Sequence, residues 1–314
     1  MAKLPRFALL VLLKYGSSGE PGRRSRAWRV QTLAELGKVR NVSVMNDATS
    51  PTGDEPGETI RRELERVDEA LLAAMTERLR LSDQLAGVDS PRSGPPIRPS
   101  REVALLRRLA AAAPGDREVV ADLWRVLLAA SSRRQRALDI VVGASRGDAM
   151  RLYDVARRHF GARARIKDVG EPQIALQKAV DNPDSVIAIT SWPAAPGVGA
   201  WWPALTEQRY RSLSIIAALP VTGAAADTPE AAVFAAAAPE AAGGDISLLL
   251  AFDPHHRVQR ALAEAGLVGK EVARAEPRVL VRVEGFVTPD DPRAAALART
   301  GLDAVRLLGA YALI

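Results

Sequence analysis

Apolar side chains recur at steps of three and four residues along positions 59–86, a stretch that holds neither glycine nor proline. This spacing puts them on one face of a helix, so the sequence predicts one amphipathic helix of about 30 residues, roughly 45 Å long. Two shorter neighbours cannot cover so long a face, which favours pairing with a second copy of the chain. The face comprises Ile60, Leu64, Val67, Leu71, Met75 and Leu85.

Two further helices are predicted after a break in this pattern. Four prolines and a glycine within residues 91–99 end the first helix. Amphipathic patterns then predict helices at 100–113 and 117–140. The order long, short, medium indicates an all-α three-helix domain over residues 57–136.

Beyond residue 137 the pattern changes to alternating strands and helices, which predicts a small parallel sheet with helices on its faces over residues 137–235. Another apolar strand is predicted at 213–221. The strands are predicted at 137–143, 164–169 and 185–190, and the helices at 148–160 and 171–180.

The final region, residues 245–314, gives the order β–α–β–β–α–β. Its elements are predicted at 246–252, 255–265, 270–275, 278–287, 292–300 and 304–312. The fold class is therefore multidomain, an all-α domain followed by an α/β region in two parts.

The net charge of +6 suggests a nucleic-acid partner until the charges are located. The first 44 residues carry nine basic and two acidic side chains, so the remaining 34 basic and 35 acidic groups are nearly balanced. No nucleic-acid partner is predicted. The longest apolar run, residues 7–13, is too short to span a membrane.

The first 56 residues are predicted to be a disordered extension with three interpretations. Residues 1–13 have the charged and apolar parts of a secretory signal but no clear cleavage site follows. Translation could instead start at Met45, which we prefer, or the segment could be a flexible basic arm. The absence of cysteine favours a cytoplasmic protein, and with three histidines neither a metal site nor a cofactor is expected.

Six polar residues lie on the apolar sides of the three predicted helices. Each one alone is typical of a solvated surface. They are Arg61 and Arg78 in the first helix, Arg101 and Glu102 at the start of the second, and Ser131 and Gln135 one turn apart in the third.

Together these residues resemble the active-site pattern of the all-α chorismate mutase family. The first helix matches through Ile60-Arg61 before Val67-Asp68-Glu69, and through Leu71-Leu72 followed by Glu77-Arg78. The second matches through Pro99-Ser100-Arg101-Glu102, with Leu105-Leu106-Arg107-Arg108-Leu109 behind it. The resemblance implies an intertwined homodimer that rearranges chorismate to prephenate without a cofactor.

The chemistry explains these residue types. Chorismate is a dicarboxylate and its rearrangement is unimolecular, so the site must hold a compact conformer and stabilise charge on the breaking ether oxygen. Guanidinium groups grip carboxylates through paired hydrogen bonds. The resemblance implies that Arg61 of one subunit and Arg78 of the other clamp the carboxylates. It also implies that Glu102 takes the substrate hydroxyl, Gln135 donates to the ether oxygen, and Ser131 and Arg101 order the pocket.

Two positions depart from the family pattern. The family's site lysine falls on Asp89, and the acidic residue that opens its second helix falls on Arg98. An Asp89–Arg98 pair could supply a guanidinium to the ether oxygen. Alternatively, Asp89 leaves an anion beside a dianionic substrate, and losing one such donor typically costs about 2.7–4 kcal/mol.

The α/β region resembles the first lobe of prephenate dehydratase followed by an ACT domain, the amino-acid-sensing module of such enzymes. The family's catalytic Thr-Arg-Phe falls on Ala232-Val233-Phe234, so no dehydratase activity is expected. The ACT resemblance rests on Leu307-Leu308-Gly309-Ala310-Tyr311, while Pro254-His255-His256-Arg257-Val258 and Ala275-Glu276-Pro277-Arg278 depart from its ligand motifs.

The predicted function is chorismate mutase in aromatic amino acid biosynthesis. One alternative is a catalytically eroded regulatory or scaffold protein that binds chorismate, prephenate or an aromatic amino acid such as phenylalanine and acts through a partner enzyme of that pathway. Another is a pyruvate lyase acting on isochorismate, because the carboxylate clamps would be the same.

Overall fold

The computed structural model describes residues 56–88, 94–144, 147–193, 200–223 and 228–314. The chain forms two units, Met1–Glu63, described from Pro56 onward, and Leu64–Ile314. Of the predicted extension, residues 1–56, all but Pro56 lies outside the described residues, as does the alternative start at Met45; Pro56 is the first residue of a helix. No helix in the described ranges is long and apolar enough to cross a membrane.

Three helices open the described chain, α1 (Pro56–Val88), α2 (Pro99–Ala112) and α3 (Arg117–Gln135). The three-helix prediction is confirmed. A proline at the first position of α2 starts that helix, because its missing N–H needs no partner there. The third helix ends at Gln135, five residues before its predicted end, because the chain turns there into the first strand of the sheet.

Nine strands in the described part of the chain form one mixed sheet, in the order β2-β1-β3-β5-β4-β9-β6-β8-β7. The first three pair in parallel, as the alternation with helices α4 (Ala149–Phe160) and α5 (Pro172–Asp181) predicts. The first five strands are β1 (Asp139–Gly143), β2 (Arg165–Gly170), β3 (Val186–Ser191), β4 (Ser214–Leu219) and β5 (Ala231–Ala235).

The sheet differs from the predicted small parallel sheet at β5. This alanine-rich strand runs antiparallel to both β3 and β4 and lies between them. Alanine has weak strand propensity, so the segment gave no strand signal in the sequence. Between residue 200 and β4, the described chain also forms the short 3₁₀ helices Trp202–Thr206 and Gln208–Tyr210.

The last 70 residues fold in the predicted β–α–β–β–α–β order, and their strands are antiparallel neighbours. The two helices bury Ala261, Leu262 and Leu297 in one cluster with Val281 of the sheet, so they cover the same face. The elements are β6 (Ile246–Phe252), α6 (Val258–Glu264), β7 (Gly269–Ala275), β8 (Arg278–Glu284), α7 (Pro292–Arg299) and β9 (Asp303–Tyr311).

The two halves of the sheet join where Ile215 of β4 pairs in parallel with Gly309 of β9. Gly309 has φ +149°, and a Cβ built there would lie 2.6 Å from Ile215 N and closer still to its carbonyl oxygen. Only glycine fits so close an approach. Aromatic packing across the same join places the Trp192 and Tyr311 rings 5.3 Å apart.

Helix α2 is tied to this sheet region by Arg107. Its Nε donates to the Leu313 carbonyl at 2.9 Å, and its Nη1 donates to the Gly243 carbonyl. The apolar face of α2 buries Val103, which belongs to the same core as Ile187 of β3. Within Leu64–Ile314, the helical and α/β parts therefore share packing.

Candidate functional site

The arginine and serine predicted in the first and third helices lie in direct contact. Arg78 Nη1 donates to Ser131 Oγ at 2.6 Å and to the Leu127 carbonyl at 3.3 Å. Ser82, one turn after Arg78, places its Oγ 3.0 Å from Ser131 Oγ. Residues four apart share a helix face, so Arg78 and Ser82 of α1 meet Leu127 and Ser131 of α3 as two facing rows.

Glu102 of α2 is electrostatically linked to this pair. Burial lowers the pKa of Arg78, and the Glu102 carboxylate raises it. Burial also raises the pKa of Glu102 from its ordinary 4.5 to about 7, against the opposing charges of Arg125 and Arg78. Its carboxylate has no hydrogen-bond partner among the described residues. A carboxyl that titrates near neutrality and has no partner is typical of a functional site.

A cavity of about 40 Å³ opens beside Glu102, between α2, α3, α4 and the sheet. It has room for a water molecule or two, whereas ligand pockets usually measure about 300–1,000 Å³. The cavity is therefore an internal space behind Glu102 and not a binding pocket for a ring-sized molecule. Its polar lining includes Glu102, Arg125, Ser132, Arg133 and His159.

Arg125 of α3 lines this cavity with 8% of its surface exposed. Its Nη1 lies 3.0 Å from His159 Nδ1, and its Nη2 donates to Thr222 Oγ1 at 3.3 Å. A guanidinium only donates, so His159 Nδ1 accepts. Burial, with the Arg125 charge adding to it, lowers the pKa of His159 to about 3, so the imidazole is neutral.

The sequence analysis did not single out Arg125 or His159. The available signal was an arginine inside the apolar segment Leu123-Trp124-Arg125-Val126-Leu127, where a cation is unusual on a helix that packs against two others. The position of His159 near the end of an amphipathic helix gave no comparable signal.

Arg98 and Arg101, predicted to face substrate, lie against an acidic residue of the α/β region. Arg98 Nη1 is 2.7 Å from Glu240 Oε1, Ser100 Oγ donates to Glu240 Oε2 at 3.2 Å, and Arg101 Nε is 3.9 Å from the same oxygen. The Arg101 side chain is 69% exposed. Asp89 lies outside the described residues, so its pairing with Arg98 stays a prediction.

The remaining two predicted residues make few contacts. Arg61, in the first unit, pairs with Glu58 at 3.2 Å and has an exposed side chain. Gln135, the last residue of α3, is half-buried and has no side-chain hydrogen bond within the described ranges. The structure therefore brings Arg78 into contact with Ser131, with Glu102 close enough to interact electrostatically with Arg78, and it places Arg98 and Arg101 beside Glu240.

No group of three or more acidic or histidine side chains in the described ranges could hold a metal ion. The side chains of adjacent residues point in different directions, which disfavours a metal site built on the neighbouring His255 and His256. In the structure His256 Nε2 lies 3.2 Å from Glu276 Oε1.

Comparison with known proteins gives one family. Residues 60–136 match the family model of chorismate mutase type II. No curated protein matches the chain.

Solved structures resemble part of the chain at low identity. A prephenate dehydratase from Streptococcus mutans is 14% identical with a TM-score of 0.37, over 56% of this chain and 99% of that one. A prephenate dehydratase from Arthrobacter aurescens in complex with L-Phe is 14% identical with a TM-score of 0.39, over 55% and 90%. GqqA, described as a novel type of quorum quenching acylase, is 15% identical with a TM-score of 0.36, over 55% and 95%.

Proposed function

We propose that this protein is a chorismate mutase that rearranges chorismate to prephenate in aromatic amino acid biosynthesis in the cytoplasm. The observation that carries the proposal is the contact between Arg78 and Ser131, with Glu102 close enough to interact electrostatically with Arg78, inside the residues that match the family. A half-buried guanidinium beside a hydroxyl and a carboxyl can grip a dicarboxylate and its hydroxyl group.

The reaction needs no proton transfer, so binding geometry and charge carry it. In this proposal Arg78 grips one carboxylate, Glu102 accepts the substrate hydroxyl, and Ser131 fixes the Arg78 side chain. Gln135 donates to the ether oxygen, and Arg61 of the partner subunit grips the other carboxylate.

The test is the loss of chorismate absorbance in the presence of the purified protein, with identification of the product. Prephenate formed above the spontaneous rate supports the proposal. Isochorismate assayed in parallel distinguishes a pyruvate lyase. The second candidate function is a regulatory or scaffold protein that binds chorismate without converting it. Binding of chorismate with no turnover of either substrate would support this second candidate.

One observation favours that second candidate. Glu240 holds Arg98 and Arg101, the two arginines at the start of α2, at 2.7 Å and 3.9 Å. A protein carboxylate in this position competes with the substrate for these two cations.

Replacing Glu240 with alanine should increase kcat/KM for chorismate. Exposed ion pairs contribute roughly 0–1 kcal/mol, so release of the arginines should raise it by up to about fivefold. Steady-state kinetics measures the change. Glu264→Ala is the matched control, since Glu264 pairs with Arg260 on α6 and should have no effect. A drop in kcat/KM for Glu240→Ala would mean that Glu240 helps to orient the arginines.

The protein should be a homodimer held by α1. Most of its large apolar residues from Leu64 onward are exposed, with Leu64, Leu72 and Leu81 exposed by 58%, 65% and 49%. Burial of such a face against a second copy would be strongly favourable. Sedimentation should give a dimer for the native chain and a monomer for Leu72→Glu, while Met150→Glu, at an exposed apolar residue of α4, should remain dimeric. A stable folded native monomer would remove the proposal that Arg61 completes a partner's site.

The α/β region should not dehydrate prephenate. The position that matches the dehydratase threonine is Ala232, a buried residue of β5 whose methyl group cannot exchange a proton. Phenylpyruvate should form from prephenate no faster than in buffer.

We propose that residues 57–136 are the mutase domain, and that the dehydratase-like residues 137–235 and ACT-like residues 245–314 act structurally or in regulation. Binding of phenylalanine would favour regulation.

A further inference from the structure

The buried arginine on α3 lies behind the proposed site and has no part in the chemistry described above. Arg125 and Glu102 line the same cavity, and the carboxylate has no hydrogen-bond partner among the described residues. The guanidinium is held at one edge by His159 of α4 and at another by Thr222, which follows β4. Both of these residues belong to the α/β region.

We propose that Arg125 is a positioning residue of the mutase site: held by His159 and Thr222 in the wall of the cavity that Glu102 also lines, its guanidinium places a fixed positive charge near the carboxylate that accepts the substrate hydroxyl. The inference rests on the proposed function of residues 60–136. It also makes the α/β region a contributor to the electrostatics of the site.

The charges around Glu102 explain why a second cation is needed. Burial favours its neutral form, and Arg125 and Arg78 oppose that effect. When a dianionic substrate binds, the Arg78 charge is largely offset by the carboxylate it grips, and the substrate itself adds negative charge. Arg125 lies in the cavity behind Glu102 and keeps its charge, because guanidinium groups remain protonated even when buried.

The other groups at this cavity do not replace Arg125. His159 on α4 is neutral, since burial and the Arg125 charge lower its pKa to about 3. Arg133 lines the cavity from α3 but donates outward to the Phe160 carbonyl at 3.4 Å. It is not among the charges that shift the pKa of Glu102. Asp122 acts on Arg125 and favours its charged form.

The Arg125 clamp itself is well defined. The Nδ1 atom of His159 and the Oγ1 atom of Thr222 each occupy one guanidinium nitrogen, and Arg125 Nε has no partner in the described part of the chain. Replacing His159 with phenylalanine removes one acceptor while leaving the charge, so this variant separates orientation from charge.

The first experiment compares the pH dependence of kcat/KM for chorismate in the native protein, Arg125→Met and Arg133→Met, between about pH 5 and pH 9. We expect activity to rise with pH as Glu102 ionises. In Arg125→Met the rise should move to higher pH, and the ratio of kcat/KM at high pH to that at about pH 6 should increase roughly tenfold. His159→Phe should also move the rise in kcat/KM to higher pH, but by less than Arg125→Met. Arg133→Met should show the same pH dependence as the native protein.

A second readout does not depend on turnover. Because the pKa of Glu102 is raised from 4.5 to about 7 on folding, its neutral form adds stability below 4.5 that is lost as pH rises through 7. The difference in free energy of unfolding between the native protein and Glu102→Gln should show this loss. In the Arg125→Met background, the loss should extend to higher pH.

The outcomes separate the inference from the proposed function. A stability shift with Arg125→Met in a protein that turns over no chorismate supports the coupling and removes the mutase proposal. An unchanged pH dependence of stability in Arg125→Met overturns the inference. An equal shift in Arg133→Met also overturns it, because the effect would then belong to any cation at the cavity.

Discussion

Replacing Arg78 with alanine should reduce kcat/KM for chorismate by about 100- to 1,000-fold, the usual effect of removing one preorganised charged donor. The guanidinium is half-buried, and its contact with Ser131 at 2.6 Å fixes its direction. Its loss should remove a carboxylate clamp and also raise the pKa of Glu102, because one of the two opposing cations is gone. Steady-state kinetics measures the loss, and circular dichroism checks that the protein remains folded.

Arg80→Ala is the matched control for this substitution. Arg80 lies two residues further along α1, where its exposed side chain pairs with Glu77 at 2.7 Å. It should keep kcat/KM within about twofold, since exposed ion pairs contribute little. Near-native activity of Arg78→Ala would place the active site elsewhere in the chain.

Replacing Gly309 with alanine should destabilise the protein by about 4 kcal/mol or more, among the largest effects of a single substitution. The new Cβ would lie 2.6 Å from Ile215 N at a backbone φ of +149°, so the clash and the strain add. Separation of β9 from β4 would also open the core around Trp192 and Tyr311. Urea unfolding followed by tryptophan fluorescence measures the change.

Gly115→Ala provides the comparison for the same chemical change. Gly115 lies in the turn between α2 and α3, and among the described residues no atom beyond Gly115 and its two chain neighbours comes within 4 Å of a Cβ placed there. We expect a change of at most about 1 kcal/mol. Similar effects at positions 115 and 309 would show that the join between the two halves of the sheet contributes little to stability.

The helices and most strands of this protein could be predicted from sequence because their signal is local. The spacing of apolar residues defines α1, and the alternation of strands and helices defines β1 to β3 with α4 and α5. The pairing of Ile215 with Gly309 could not be predicted in this way, since periodicity states which face of a strand is buried but not which strand lies beside it.

The residues of the candidate site likewise differ in whether the sequence could predict them. Arg78, Glu102 and Ser131 could be found because a family resemblance fixes their spacing in three consecutive helices. Arg125 offered one weak signal, its place inside an apolar helical segment, but the residues on which Arg125 and Glu240 act lie in other segments and could not be predicted. An acidic side chain in a polar loop such as Glu240 is usually solvated, so its contact with Arg98 had no signal in the sequence.

The order of the strands has a consequence for synthesis on the ribosome. The inner strand β4 (Ser214–Leu219) emerges well before β9 (Asp303–Tyr311), which covers its edge. Until β9 arrives, the apolar segment Ser214–Leu219 presents unpaired backbone groups to solvent, as does β6 on the other side. The nascent chain therefore carries two open strand edges through late translation, which makes it a natural client for chaperones that bind extended apolar segments.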